Sequence, residues 1–172
     1  MNSISLNFTG VQYDETVNGA GLGMTIYFQG CSHHCKGCHN PETWEFGKGK
    51  YCLFEINSKI NEYFTTTPFA ERLTFSGGDP LDNLYDLERV LSYVKEFFPE
   101  KKLWLYTGYK LEDLTEEMWT FVKQFDFVVD GPFIEELRDI TLPFRGSSNQ
   151  RILDSQNILE ILNSHENCLI RN

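Results

Sequence analysis

Met24-Thr-Ile-Tyr-Phe-Gln-Gly30-Cys-Ser-His-His-Cys-Lys-Gly-Cys-His-Asn40 is a β-branched and aromatic run that breaks, at a glycine, into a polar loop with three cysteines. The apolar part reads as a buried strand that delivers the loop. The same grammar recurs downstream. Arg72-Leu-Thr-Phe-Ser76 reads as a strand that stops at Gly77-Gly78-Asp79-Pro80, Lys102-Leu-Trp-Leu-Tyr-Thr107 as one that stops at Gly108-Tyr109, and Phe127-Val-Val-Asp130 as one that stops at Gly131-Pro132. Helical periods lie between them: Leu53 to Phe64, then Leu84, Leu87, Val90, Leu91, Val94, Phe97 and Phe98 closed by Pro99, then Leu114, Met118, Phe121, Val122 and Phe125. Strands alternating with helices predict crossover units and a mainly parallel sheet. In such sheets ligands gather where strands give way to loops, so the four loops are expected to converge on one site at one edge of a curved sheet. Arg151-Ile-Leu153 and the stretch from Ile158 to Leu162 receive no firm element.

Composition bounds the rest. The 172 residues fit one domain, 1–172, with a real core, and 41% hydrophobic and 15% aromatic residues exclude a disordered chain. No repeat, low-complexity tract or linker divides it; Gly146-Ser-Ser-Asn149 is polar but short. With 15 Lys and Arg against 25 Asp and Glu, the formal charge of -10 has the wrong sign for gripping phosphate backbones, so nucleic acid is not an expected partner. Met1 to Gly10 lack the basic start and apolar stretch of a secretory signal, and no run is long enough to span a membrane. Five cysteines, three of them crowded together, do not resemble a secreted disulfide framework, so a reducing, cytoplasmic setting is expected. Cys52, in Tyr51-Cys-Leu-Phe54, and Cys168 read as small buried hydrophobes.

Cys31, Cys35 and Cys38 then carry the chemistry. Three thiolates on one tight loop suit three irons of a cubane cluster and leave the fourth iron open. Zinc competes, because Cys31, Cys35, Cys38 and His39 also form a sulfur and nitrogen donor set, and spacing alone does not decide between them. Structural zinc sites, however, commonly draw on two separated pairs, and this chain has no second pair. Gly77 and Gly78 let a backbone approach a ligand closely. Taken alone, Gly-Gly-Asp-Pro is also a turn ending a strand, with Pro80 opening a helix and Asp79 as a turn or cap residue.

The spacing of Cys31, Cys35 and Cys38 resembles the cluster motif of the radical S-adenosylmethionine enzymes. The resemblance runs through Val17-Asn-Gly-Ala-Gly-Leu-Gly-Met24, Cys38-His-Asn-Pro-Glu-Thr-Trp44, Ser76-Gly-Gly-Asp-Pro80, Val129-Asp-Gly-Pro-Phe133 and Phe144-Arg-Gly-Ser-Ser-Asn-Gln-Arg151. The last two blocks are similar to the activating proteins of anaerobic ribonucleotide reductases in particular. One departure is Gly37, where the wider family often has an aromatic residue near adenine.

The resemblance implies an α/β fold, a partial (open) β/α barrel with a mainly parallel curved sheet and helices outside. It implies that Cys31, Cys35 and Cys38 bind a 4Fe-4S cluster and that S-adenosylmethionine chelates the open iron. An electron from a low-potential donor, such as a flavodoxin or a reduced thiol system, would cleave the cofactor to a 5′-deoxyadenosyl radical. No side-chain acid or base is required, so no catalytic side chain is named. The acceptor would be a glycine in the large subunit of an anaerobic ribonucleotide reductase. Gly77, Gly78 and Asp79 are expected at the methionyl amine, the backbone of Gly37, Cys38 and His39 at adenine, and Tyr106, Thr107, Asp130 and Asn149 at ribose or adenine. His33 and His34 are read as bonding to sulfide or partner, or as plain loop residues. Arg145, Arg151, Lys36, Lys48 and Lys50 mark either a docking face or solvated charge; His165 has no evident role. Activation of another glycyl-radical enzyme, such as pyruvate formate-lyase, and a zinc-binding adaptor are the alternatives.

Overall fold

A computed structural model describes residues 6–170, with side chains to residue 166, so the start of the Met1–Gly10 segment and the side chain of Cys168 lie outside the described residues. Six strands form one open sheet in sequence order: β1 Phe8–Glu15, β2 Gly23–Phe28, β3 Arg72–Gly77, β4 Lys102–Tyr106, β5 Phe127–Asp130 and β6 Arg151–Asp154. β2 to β5 run parallel, and β1 and β6 close the two edges antiparallel. Helices α1 Leu53–Thr66, α2 Leu84–Phe97 and α3 Glu116–Val122 make the crossovers, and α4 Ser155–Ile170 follows β6. Neighbouring parallel strands joined in sequence order by right-handed crossovers put every crossover helix on the same face.

That face holds the core. Met24, Ile26, Phe28, Leu73, Phe75, Leu103, Leu105 and Val128 pack in one cluster with Ile56 and Ile60 of α1, Leu87, Val90, Leu91 and Val94 of α2, and Trp119 and Val122 of α3. The spacing within each strand is two, as pleating requires. Leu114 and Phe125, expected on the third helix, are buried but flank it: Thr115 caps α3 by accepting from the Met118 N–H at 3.2 Å. Cys52 departs from its expectation as a buried hydrophobe. It is half-buried at the N-cap of α1, where its N–H donates to Glu55 Oε2 at 2.9 Å. No helix among the described residues is long and apolar enough to cross a membrane.

The other face is polar although parts of it are buried. Arg72 is 0% exposed and donates to Glu15 Oε1 at 2.7 Å, the Glu15 carbonyl at 2.6 Å and Thr74 Oγ1 at 2.6 Å, with longer bonds to the Asn18 and Gly21 carbonyls. Glu15 in turn accepts from Thr25 Oγ1 and from the Val17 and Asn18 N–H groups. Burial works to raise its pKa, but the hydrogen bonds from Arg72, Thr25 and Asn18 outweigh it and hold the carboxyl below its ordinary value. Residues 15–21 are thereby pinned across the open face.

Candidate functional site

The loops that follow β2, β3, β4 and β5 meet at the C-terminal edge of the parallel strands around a cleft of about 400 Å³. Cys31, Cys35, Cys38 and His39 line one wall, Gly77, Gly78 and Asp79 another, and Tyr106, Thr107 and Gly108 continue from β4. Gly131, Phe133, Phe144, Arg145 and Gln150 close the side nearest β5 and β6, and Val17 and Asn18 enter from the pinned segment.

Backbone N–H groups surround the sulfurs. Cys38 takes Asn40 N–H at 3.4 Å, and the backbone of His33 and His34 beside Cys31 and of Phe133 beside Cys35 works to lower those thiols' pKa. Such bonds favour thiolate over thiol. Burial works the other way, pushing the Cys31 thiol up to about 11 and the Cys35 thiol above its ordinary value. A cation bound to them must displace the protons and then supply the missing charge compensation. No three Cys, His, Asp or Glu side chains among the described residues close around a single-ion position. The three sulfurs border a wider space, the cleft itself, and as three thiol donors on one loop they fit a 4Fe-4S cluster.

The glycine pair meets the cysteine loop directly. Gly78 N–H donates to the Phe28 carbonyl at 2.8 Å and Asp79 N–H to the Gly30 carbonyl at 2.9 Å. A Cβ at Gly78 would stand 2.2 Å from the Gly30 carbonyl oxygen, so any side chain there would force the two loops apart.

Nine of the twelve residues named from sequence line the cleft; Gly37, Asp130 and Asn149 do not. Gly37 serves the turn, at φ +72, and a Cβ there would stand 2.9 Å from the Glu135 side chain. Asp130 is 1% exposed and accepts from Leu111 N–H and from the Arg151 guanidinium, so it joins β5 to β6 and does not reach the cleft. Asn149 donates to the Pro132 carbonyl at 2.8 Å, and the neighbouring Gln150 takes the cleft position. Gln150 Oε1 accepts from Gly146 and Ser147 N–H, folding the block 144–151 into a tight loop. Tyr106 lines the cleft and donates to the Phe144 carbonyl at 2.7 Å, which ties that loop to β4.

The basic residues divide. Arg145 faces the cleft, Arg151 bridges Asp130 and Glu112, Lys36 pairs with Glu135 at 3.0 Å, and Lys48 and Lys50 are exposed. His34 is exposed and stacks on Trp44, whereas His33 turns inward onto Asp79. Asn18, Phe133, Arg145 and Gln150 went unassigned to the site in the sequence reading. Each lies in a block that the family resemblance had marked, yet a block names a loop and not which of its side chains faces inward.

A profile described as a 4Fe-4S single cluster domain matches residues 17–153. Relatives named anaerobic ribonucleoside-triphosphate reductase-activating protein include three from different sources. That of Haemophilus influenzae is 37% identical over 153 residues, covering 86% of this chain and 97% of its own. That of Vibrio cholerae is 39% identical over 141 residues, covering 80% and 91%, and that of Enterobacteria phage T4 is 37% identical over 151 residues, covering 86% and 93%.

Proposed function

Because the chain belongs to the family of anaerobic ribonucleoside-triphosphate reductase-activating proteins, we propose that it generates a glycyl radical on the large subunit of an anaerobic ribonucleotide reductase. When bound, the 4Fe-4S cluster and S-adenosylmethionine would supply the hard chemistry, one-electron reductive cleavage that releases methionine and provides the radical that takes hydrogen from a glycine. The protein's own residues bind, orient and shield. Cys31, Cys35 and Cys38 hold the cluster, the Gly77–Gly78 backbone receives the methionyl amine, and Tyr106, Phe133 and Gln150 wall off water. Asn18 and His39 stand ready for ribose or adenine.

The observation that carries this reading is the convergence of three cysteine sulfurs and a glycine pair on one cleft. We infer that the open sheet is a partial β/α barrel of the radical S-adenosylmethionine type, built as one domain; its strands follow sequence order and its site lies at their C-terminal edge. The free cysteines suit a reducing cytoplasm, and a low-potential donor such as a flavodoxin or a thiol system would supply the electron.

The test is the electron paramagnetic resonance spectrum of anaerobically reconstituted, reduced protein, with and without S-adenosylmethionine. A reduced 4Fe-4S signal that changes shape with the cofactor is expected, followed by a glycyl radical when reductase is added. Cys35→Ala should abolish both signals. A colourless protein carrying zinc would refute the reading.

A further inference from the structure

Asp79 has no carboxylate capacity to spare. It is 1% exposed, and it accepts from Leu81 N–H at 3.0 Å, Gly108 N–H at 2.8 Å, Thr107 Oγ1 at 2.9 Å and His33 Nε2 at 2.9 Å. An ionised carboxylate has no proton to give, so each partner is the donor. Only Leu81 belongs to its own segment. Thr107 and Gly108 belong to the loop after β4, and His33 lies between Cys31 and Cys35.

A second carboxylate repeats the pattern three residues on. Asp82 accepts from Ser32 N–H at 2.7 Å, from Ser32 Oγ at 3.2 Å and from Tyr109 Oη at 2.6 Å. The 3₁₀ turn Pro80–Asp82 and its cap Asp79 thus fasten two adjacent residues of the cysteine loop, and each carboxylate also grips the loop after β4. Packing follows the same geometry. The Tyr109 ring meets the His33 ring edge-on at 4.4 Å, and a Cβ at Gly108 would stand 2.5 Å from that ring, so a larger residue at 108 would displace His33.

We propose that Asp79 and Asp82 are positioning residues that, through His33 and Ser32, latch the cysteine loop into its cluster-binding conformation before any iron arrives. The proposal rests on the reading of Cys31, Cys35 and Cys38 as cluster ligands, and it moves Asp79 from the cofactor's amine to the scaffold behind the cysteines. Ordering a polar loop with three ligands carries a large entropic cost, and a site whose cost is met during folding binds more tightly and releases more slowly.

Two sets of measurements on the full chain test this. In the metal-free protein, thiol labelling of Cys31 and Cys35 and hydrogen exchange across residues 31–39 should quicken about 10- to 100-fold in His33→Ala, the range for losing a hydrogen bond to a charged group. His33→Gln, whose amide still donates to Asp79, should recover most of that change. In the reconstituted protein, iron release to a chelator should quicken by a similar factor in His33→Ala, while the S-adenosylmethionine-induced change in the paramagnetic spectrum persists. Wild-type labelling, exchange and iron release in His33→Ala would overturn the latch. So would an Asp79→Asn protein that loses cofactor affinity with loop exchange unchanged, because that pattern belongs to a direct contact. If the wild type takes up no cluster, the proposed function fails, and the metal-free measurements still decide the latch.

Discussion

On the face covered by α1 to α3, β2, β3 and β4 present Met24, Ile26, Phe28, Leu73, Phe75, Leu103 and Leu105. On the face under the cleft the intervening residues of the same strands are Thr25, Tyr27, Arg72, Thr74, Trp104 and Tyr106. Both sets are largely dry, yet one carries hydrocarbon and the other an ion pair with its hydrogen-bond partners. The apolar face asks only for volume, since dispersion and burial are indifferent to direction. The polar face fixes directions. The two terminal nitrogens of Arg72 donate to the Glu15 carboxylate and to carbonyls of residues 15, 18 and 21, and so set the path of the segment that carries Asn18 and Val17 to the cleft.

If that contrast holds, equal losses of stability on the two faces should have unequal functional consequences. Arg72→Met leaves Glu15 buried without its cation and should cost about 3–5 kcal/mol, measured as a lower urea midpoint. Adding Glu15→Met should restore part of that stability, because it removes the unpaired charge but leaves Thr25 and the Val17 and Asn18 N–H groups without their acceptor. The double variant should still bind S-adenosylmethionine at least about tenfold more weakly, since one lost charged hydrogen bond already carries that much. Phe75→Ala, on the covered face, should also cost about 3–5 kcal/mol by opening a cavity. Its folded fraction should bind the cofactor as the wild type does. Normal binding by the double variant, or impaired binding by folded Phe75→Ala, would break the comparison.

The same contrast explains what the sequence disclosed. β2 to β5 and α1 to α3 were readable because their apolar residues repeat at two or at helical spacing against one core. β1 was not, because it is an edge strand with irregular register against β2, and most of its residues are exposed or half-exposed. β6 is four residues long, and α4 packs only part of its surface through Ile158, Ile161 and Leu162. At the site, the cysteines and Gly77–Gly78 were readable because their chemistry is rare and local. Asp79 lines the cleft, but its partners His33, Thr107 and Gly108 come from loops remote in sequence, and only the fold brings them together. Asp130 lies away from the cleft for a similar reason, because its partner Arg151 lies across an antiparallel edge with no clear signal in the sequence.

That edge supplies the mildest test, since it repeats the guanidinium–carboxylate chemistry of Arg72 and Glu15 in contact with water. Arg151 donates to both Glu112 carboxylate oxygens at 2.8 and 2.7 Å, with side chains 40% and 50% exposed. The Arg151 hydrogen bonds hold the Glu112 carboxyl down at about 2. A carboxyl whose pKa is lowered by folding contributes stability that is present in full above its unfolded value of 4.5 and is lost as pH falls towards the folded value. Solvent screening discounts that contribution at so exposed a pair, to under about 1 kcal/mol. Glu112→Gln should therefore lower the urea midpoint slightly at pH 7, and the gap from wild type should narrow between about pH 4.5 and pH 2. Arg151 stays anchored by Asp130 in the variant, so β6 should keep its register. A loss as large as that of Arg72→Met would show that burial is not what separates the two pairs, and the distinction between a dry, directing ion pair and a wet, incidental one would fall with it.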